Sequence, residues 1–310
     1  MNLPARGRGA GKVILLGEHA VVYGRPALAA SLPLGLVAEV APGSGPARIE
    51  SDHAGLDTDP RITALVAEAA AILELPAREL VIRVRSELEP GVGLGSSAAL
   101  CVAVLRALAS AGTRVLSRDD ELRFGRRLEA IFHGHPSGID PAAAALGGGC
   151  FRFLRGDPPT IAPLRLARTL PLVVAMSTRP RSTGAAVIGL RARWEVDPTR
   201  YERVFDEVAS VVEEGVYAAE RGDLEGLGQA FDRNQALLET LGVSAPEVEE
   251  LAERARRAGA LGAKLTGGGA GGAVVAVAAD PDAVGRTLAA SGVRTIVARV
   301  GTDAAQGRAA

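Results

Sequence analysis

Apolar and polar positions along the chain alternate in strand-length runs toward both ends and fall into long helical stretches between them. Residues 12–17 (KVILLG) form an apolar run of buried-strand length. Residues 27–31, 34–40 and 47–51 read as further strands, divided by Pro33 and by the turn-rich Pro42-Gly43-Ser44-Gly45-Pro46. Helical periodicity with little β-branching marks 61–73, and 80–85 alternates like a strand. A glycine-rich turn at 91–95 leads into an Ala/Leu-rich helix over 97–111. Ser117 reads as an N-cap, and Asp119, Asp120 and Glu121 suit the positive end of the helix that follows, to residue 132. Gly147-Gly148-Gly149 breaks the chain before a strand at 150–154, and 171–176 is another strand. Residues 182–258 read as nearly continuous helix, punctuated at Pro198, Gly222 and Pro246. Strands return at 263–266 and 272–278, then a helix at 281–290 and a strand at 293–300. Strands, then helices, then strands predict an α+β protein rather than a doubly wound one. Gly156-Asp157-Pro158-Pro159 places a seam between residues 155 and 170, giving domains 1–165 and 166–310. The Gly/Ala/Arg-rich ends, 1–10 and 303–310, read as mobile tails.

Composition narrows the classes. A chain of 310 residues, 47% hydrophobic and 23% charged, has material for two packed domains. Lys+Arg 35 against Asp+Glu 36 leaves a net charge of −1, which does not point to polyanion binding as the main business. Aromatics at 3% are too few for a base-stacking platform, so no nucleic-acid partner is expected. Cys101 and Cys150 lie in apolar surroundings without a C-x-x-C partner and read as buried thiols. No signal peptide follows Arg6 and Arg8, and the best apolar stretch, 98–105, is cut by Arg106. A soluble cytoplasmic protein without a membrane partner is the expectation.

Three segments carry chemistry. The first is Pro90-Gly91-Val92-Gly93-Leu94-Gly95-Ser96-Ser97-Ala98, between a strand and a helix. Glycines let the backbone approach a bulky anion, the helix start attracts phosphate, and Ser96 and Ser97 can cap or bind phosphate and Mg²⁺. An ordinary glycine-rich helix entry fits the same letters. So does a dinucleotide fingerprint, Gly93-x-Gly95-x-x-Ala98, but the helix is followed by another helix and not by a second parallel strand. No Walker-type G-x-x-x-x-G-K-[ST] occurs.

The second segment is Glu129-x-x-x-His133-Gly134-His135-Pro136-Ser137-Gly138-Ile139-Asp140. Two carboxylates flanking a turn suit phosphoryl transfer, one holding Mg²⁺ and the other accepting the proton of an attacking hydroxyl. The plain alternative makes Ser137 and Asp140 helix-start caps. With four histidines and no cysteine nearby, His133 and His135 do not read as zinc ligands. The third segment, Lys264-Leu265-Thr266-Gly267-Gly268-Gly269-Ala270-Gly271-Gly272, precedes a strand, so it reads as a strand–loop–strand beside a ligand.

In this order the segments resemble the three signature motifs of the GHMP kinase family, whose members phosphorylate galactose, homoserine, mevalonate or phosphomevalonate. Residues 11–24 (GKVILLGEHAVVYG) resemble the first motif, 133–140 the pattern H-G-x-P-S-G-[IV]-D of the mevalonate-phosphorylating branch, and Pro180-Arg181-Ser182-Thr183 a further element of that branch. The resemblance implies two domains, an N-terminal α+β domain with a left-handed βαβ unit and a C-terminal ferredoxin-like domain. It implies ATP and Mg²⁺, mevalonate as the acceptor (with phosphomevalonate, homoserine or a sugar as alternatives), and a homodimer. It assigns phosphate binding to Gly91, Gly93, Leu94, Gly95, Ser96, Ser97, Gly267, Gly268 and Gly269, and Mg²⁺ to Ser97 and Glu129. Asp140 becomes the base, with Lys12 beside it to keep it ionised. Glu18 and His19 line the substrate side, and Arg181 and Thr183 orient substrate or the Lys12–Asp140 pair. His135 and Tyr23 depart from the residues more usual at those positions, and neither supplies chemistry in this scheme.

Overall fold

The structure, a computed structural model, describes residues 1–51, 59–88, 91–133, 137–177 and 183–301. Two compact units are interleaved along the chain: the first is Met1–Lys12, Pro33–Pro90 and Gly95–Gly147, and the second is Val13–Leu32, Gly91–Leu94 and Gly148–Ala310.

The first strand, β1 (Ala5–Leu16), begins within the stretch expected to be a mobile tail. The reason is steric and distant in sequence. A Cβ on Gly7 would sit 2.3 Å from the Ala103 carbonyl oxygen, and one on Gly9 would sit 2.0 Å from that of Ala99. The glycines therefore let the strand lie directly on a helix backbone, while Arg6 and Arg8, which alternate with them, are exposed. β2 (Ala27–Pro46) is one 20-residue strand, where sequence reading breaks it at Pro33 and at 42–46. Pro33 falls between the ladder that starts at Ala27 and the one that starts at Leu36, so its missing N–H costs neither of them a bond. The turn-rich Pro42-to-Pro46 stretch appears as a shift of register, not a reversal.

In the first unit, β3 (Arg48–Ser51), α1 (Pro60–Ile72) and β4 (Arg78–Ser86) form a βαβ unit, with β3 parallel to β4 and β4 antiparallel to β2. Asp59 caps α1 by accepting from the Arg61 N–H at 2.9 Å, and Pro60 opens the helix. Next come α2 (Ser96–Ala111), α3 (Arg118–His133) and α4 (Ile139–Leu146). α2 is buried nearly all round, as its Ala/Leu/Val sequence requires, and packs on α1, α3 and α4. Ser117 caps α3 as expected: its Oγ accepts from the Asp120 N–H and donates to the Asp120 carboxylate.

In the second unit, β5 (Cys150–Leu154) pairs with the first residues of β2 and with β6 (Thr160–Pro163). Residues 155–159, read from sequence as part of a seam, are thus the turn of a hairpin. The rest is β7 (Leu170–Met176), the helices α5 (Thr183–Val196), α6 (Pro198–Arg221), α7 (Leu224–Thr240) and α8 (Pro246–Arg257), then β8 (Gly262–Thr266), β9 (Ala273–Val277), α9 (Pro281–Ala290) and β10 (Thr295–Val300). The sheet is antiparallel in the order β10-β7-β9-β8. With helices between β7 and β8 and between β9 and β10, that order is the ferredoxin-like arrangement. β7, β8 and β9 are buried along their whole lengths, so their near-continuous apolar runs need no alternation.

Candidate active site

The glycine-rich turn after β4 carries Gly91, Gly93 and Gly95 at φ of 80°, 91° and 75°. Leu94 is buried and anchors the turn. Gly95 is the N-cap of α2, and no side chain fills the cap. The first backbone N–H groups of a 16-residue helix are therefore left to an anion or solvent. Gly95 is required twice: its backbone is left-handed, and a Cβ there would lie 2.8 Å from Lys12 Cγ. Ser96 and Ser97 are half-buried in the first turn, and Ser97 Oγ lies 3.0 Å from His133 Nε2.

Lys12, 4% exposed, reaches Asp140 in the first turn of α4, with Nζ 3.1 Å from Oδ1. Gly138 is the helix cap there, and Ser137 makes only a 3.4 Å contact to the Ile139 N–H, so Ser137 is not a conventional N-cap. Glu129 comes from α3, is 2% exposed, and its Oε2 has no hydrogen-bond partner among the described residues. Burial pushes the Glu129 carboxyl well above the usual range; the charge of Asp140 raises it further and Lys12 opposes. A buried carboxylate without a hydrogen bond needs a proton or a cation, so this donor fits Mg²⁺. Among the described residues no three His, Cys, Asp or Glu side chains form a metal cage. Mg²⁺ that also binds phosphate uses only one or two carboxylates. Both cysteines are buried thiols, and burial holds Cys150 up at about 12.

The second unit holds the other motif residues. Glu18, expected to line the substrate side, is 1% exposed and turned inward, because both its oxygens are taken. Oε1 pairs with Lys264, and Oε2 accepts from Asn234 Nδ2 at 3.2 Å. Lys264 also donates to the Leu265 carbonyl, and Asn234 Oδ1 faces the Gly17 N–H at 3.4 Å. His19 has φ 62° and ψ −50°, and the Ala20 N–H donates to the Glu18 carbonyl at 2.7 Å. Those values define a γ-turn of the rare, strained kind. Burial, the largest influence, lowers the His19 pKa to about 4, and the Gly268 backbone opposes that shift. Gly267 and Gly269 have φ of 89° and 77° in the loop between β8 and β9, a strand-to-strand connection as expected. Thr266 Oγ1 joins this loop to β1, accepting from the Ile14 N–H at 3.1 Å and donating to the Ile14 carbonyl at 2.9 Å.

Arg181, like Pro180, Ser182, His135 and Pro90, lies outside the described residues; Thr183 opens α5, and its side chain is outside them too. Lys264 and Asn234 received no role from sequence. Lys264 at the head of the third glycine run was the one available signal; Asn234, inside a helix, offered none.

An uncapped helix start behind a glycine turn, a lysine–aspartate couple and a buried acid fit for Mg²⁺ form the apparatus of phosphoryl transfer. The family model of the GHMP kinases N terminal domain matches residues 62–148, and that of the GHMP kinases C terminal matches 216–292. The chain belongs to the GHMP kinase family, ATP-dependent kinases of small molecules. Within it, the chain is 33% identical to the mevalonate kinase of Pyrococcus horikoshii, over 86% of each chain. It is 35% identical to that of Aeropyrum pernix, over 89% of each. Its fold matches the crystal structure of L. major mevalonate kinase in complex with R-mevalonate at a TM-score of 0.88 and 29% identity, covering 98% of this chain and 100% of that one.

Proposed function

We propose that this enzyme transfers the γ-phosphoryl group of ATP to the 5-hydroxyl of mevalonate. The observation behind this is the Lys12–Asp140 ion pair next in line to the buried Glu129 and the Gly95 helix start. Asp140 takes the proton of the attacking hydroxyl, and Lys12 stabilises charge on the reacting oxygens. The turn at 91–97 binds phosphate, and Gly267, Gly268 and Gly269 are phosphate-binding candidates in the second unit. Ser97 and Glu129 hold Mg²⁺, which neutralises phosphate charge when bound. His19 contacts the acceptor, Glu18 acts through it, and Arg181 and Thr183 orient substrate. The division at 165/166 is supported by the two family models falling on either side of it. The reading extends to a cytoplasmic homodimer; among the described residues no helix is long and apolar enough to cross a membrane.

A coupled assay of ADP release, run with mevalonate, phosphomevalonate, homoserine and galactose, tests the assignment. Mevalonate should be preferred by kcat/KM, and a clear preference for another acceptor overturns the substrate. Asp140→Asn should bind ATP and lose about 10²-fold or more in kcat. Near-normal turnover in that variant removes Asp140 from the mechanism.

A further inference from the structure

We infer that Lys264 and Asn234 are positioning residues that act through Glu18, holding the strained turn at His19 so that its ring offers an acceptor nitrogen to a substrate hydroxyl. This rests on the functional reading above for the identity of the substrate, but its geometry does not.

Three facts lead to it. First, the turn at His19 stores strain: a residue with a Cβ sits at φ 62° and closes a three-residue hydrogen-bonded ring through Glu18 and Ala20. Such a conformation persists only where its surroundings over-determine it. Second, the residue before it is clamped from two directions. Lys264 lies on β8 and Asn234 on α7, both 0% exposed, and each engages one oxygen of the Glu18 carboxylate. Asn234 also faces the Gly17 N–H, so the backbone entering the turn and the side chain within it are held by one amide. Third, the turn leaves a polar atom unanswered. His19 Nε2 is buried, in a residue 7% exposed, and has no partner among the described residues. With the proton on Nδ1, Nε2 carries a lone pair. A buried acceptor without a donor invites a hydroxyl.

An ion pair that only ties β8 to the loop would account for the first contact but not for the aim of the ring. The two accounts separate experimentally. With four histidines in the chain, nitrogen-15 spectra of labelled histidine can follow His19 individually. The wild type should show a single neutral tautomer with its proton on Nδ1. Asn234→Ala should mix the tautomers and raise KM for mevalonate about tenfold, with KM for ATP unmoved. Asn234→Ala also leaves buried polar groups unpaired, so the double variant Glu18→Gln/Lys264→Met provides a second path, because replacing a buried ion pair jointly leaves no bare charge. It should give the same spectral and KM signature. Variants that fold, melt lower, yet keep one His19 tautomer and an unchanged ratio of the two KM values overturn the inference. A wild-type enzyme inactive on mevalonate overturns the functional reading instead, and the His19 spectra still decide the positioning.

Discussion

At the scale of single residues, two buried titratable groups have their proton affinities displaced from the solution values, in opposite senses. Glu129 ionises at higher pH in the folded chain than in the unfolded one. Across that interval the folded protein binds the extra proton, so its stability falls as pH rises above about 4.5. Glu129→Gln should remove this slope: the variant's advantage in urea unfolding should grow from pH 5 to pH 9 while its Mg²⁺-dependent turnover collapses. His19 works the other way. Burial first, with Lys264 and Arg193 opposing a further positive charge, lowers it to about 4 from 6.5. Between those values the unfolded chain binds more protons, so this contribution is lost as pH falls from about 6.5 toward 4, at most about 3 kcal/mol. Unfolding of His19→Asn, with a side chain that tolerates positive φ, should lack that acid-side decline. A decline of the same size in the variant would show that other groups cause it.

At the scale of elements, the sequence was a good guide where pattern is local. The helix at 118–133, its Ser117 cap and the strand pair about the third glycine run follow from spacing alone. That Lys12 lies beside Asp140 was legible from the resemblance of residues 11–24 and 133–140 to the family's motifs, and the two side chains do meet. β1 was not legible before residue 12, since its glycines answer to Ala99 and Ala103, some 90 residues away, and their Arg neighbours mimic a solvated tail. Pro33 misled for a related reason: whether a proline interrupts a strand depends on where its neighbours' ladders end. The Glu18 clamp was invisible because its partners lie 216 and 246 residues away. The strand–helix contact makes its own prediction. Gly9→Ala drives a methyl into the Ala99 backbone and should destabilise by about 2–3 kcal/mol or more, seen as a lower denaturant midpoint. A neutral result would mean that β1 does not rest on α2.

At the scale of the whole molecule, the family's two matched segments and the interleaved compact units describe one chain that passes repeatedly between its parts. Its chemistry is attached to stiff supports: Lys12 lies within a strand, Asp140 in the first turn of a helix and Glu129 inside another. Magnesium–ATP at 100 times its Kd should raise global stability by about 2.7 kcal/mol, and scanning calorimetry would read this as a higher Tm. Glu129→Gln should lose the magnesium-dependent part of that gain.

The solitary oxygen of Glu129 has a consequence for how such an enzyme survives. An interior that keeps one acid waiting is unfinished until nucleotide and metal arrive. Where both are plentiful the chain spends little time in that condition, and its turnover by proteases should be slow. Starved of nucleotide, or stripped of it on a column, the same molecule should become the easier one to digest.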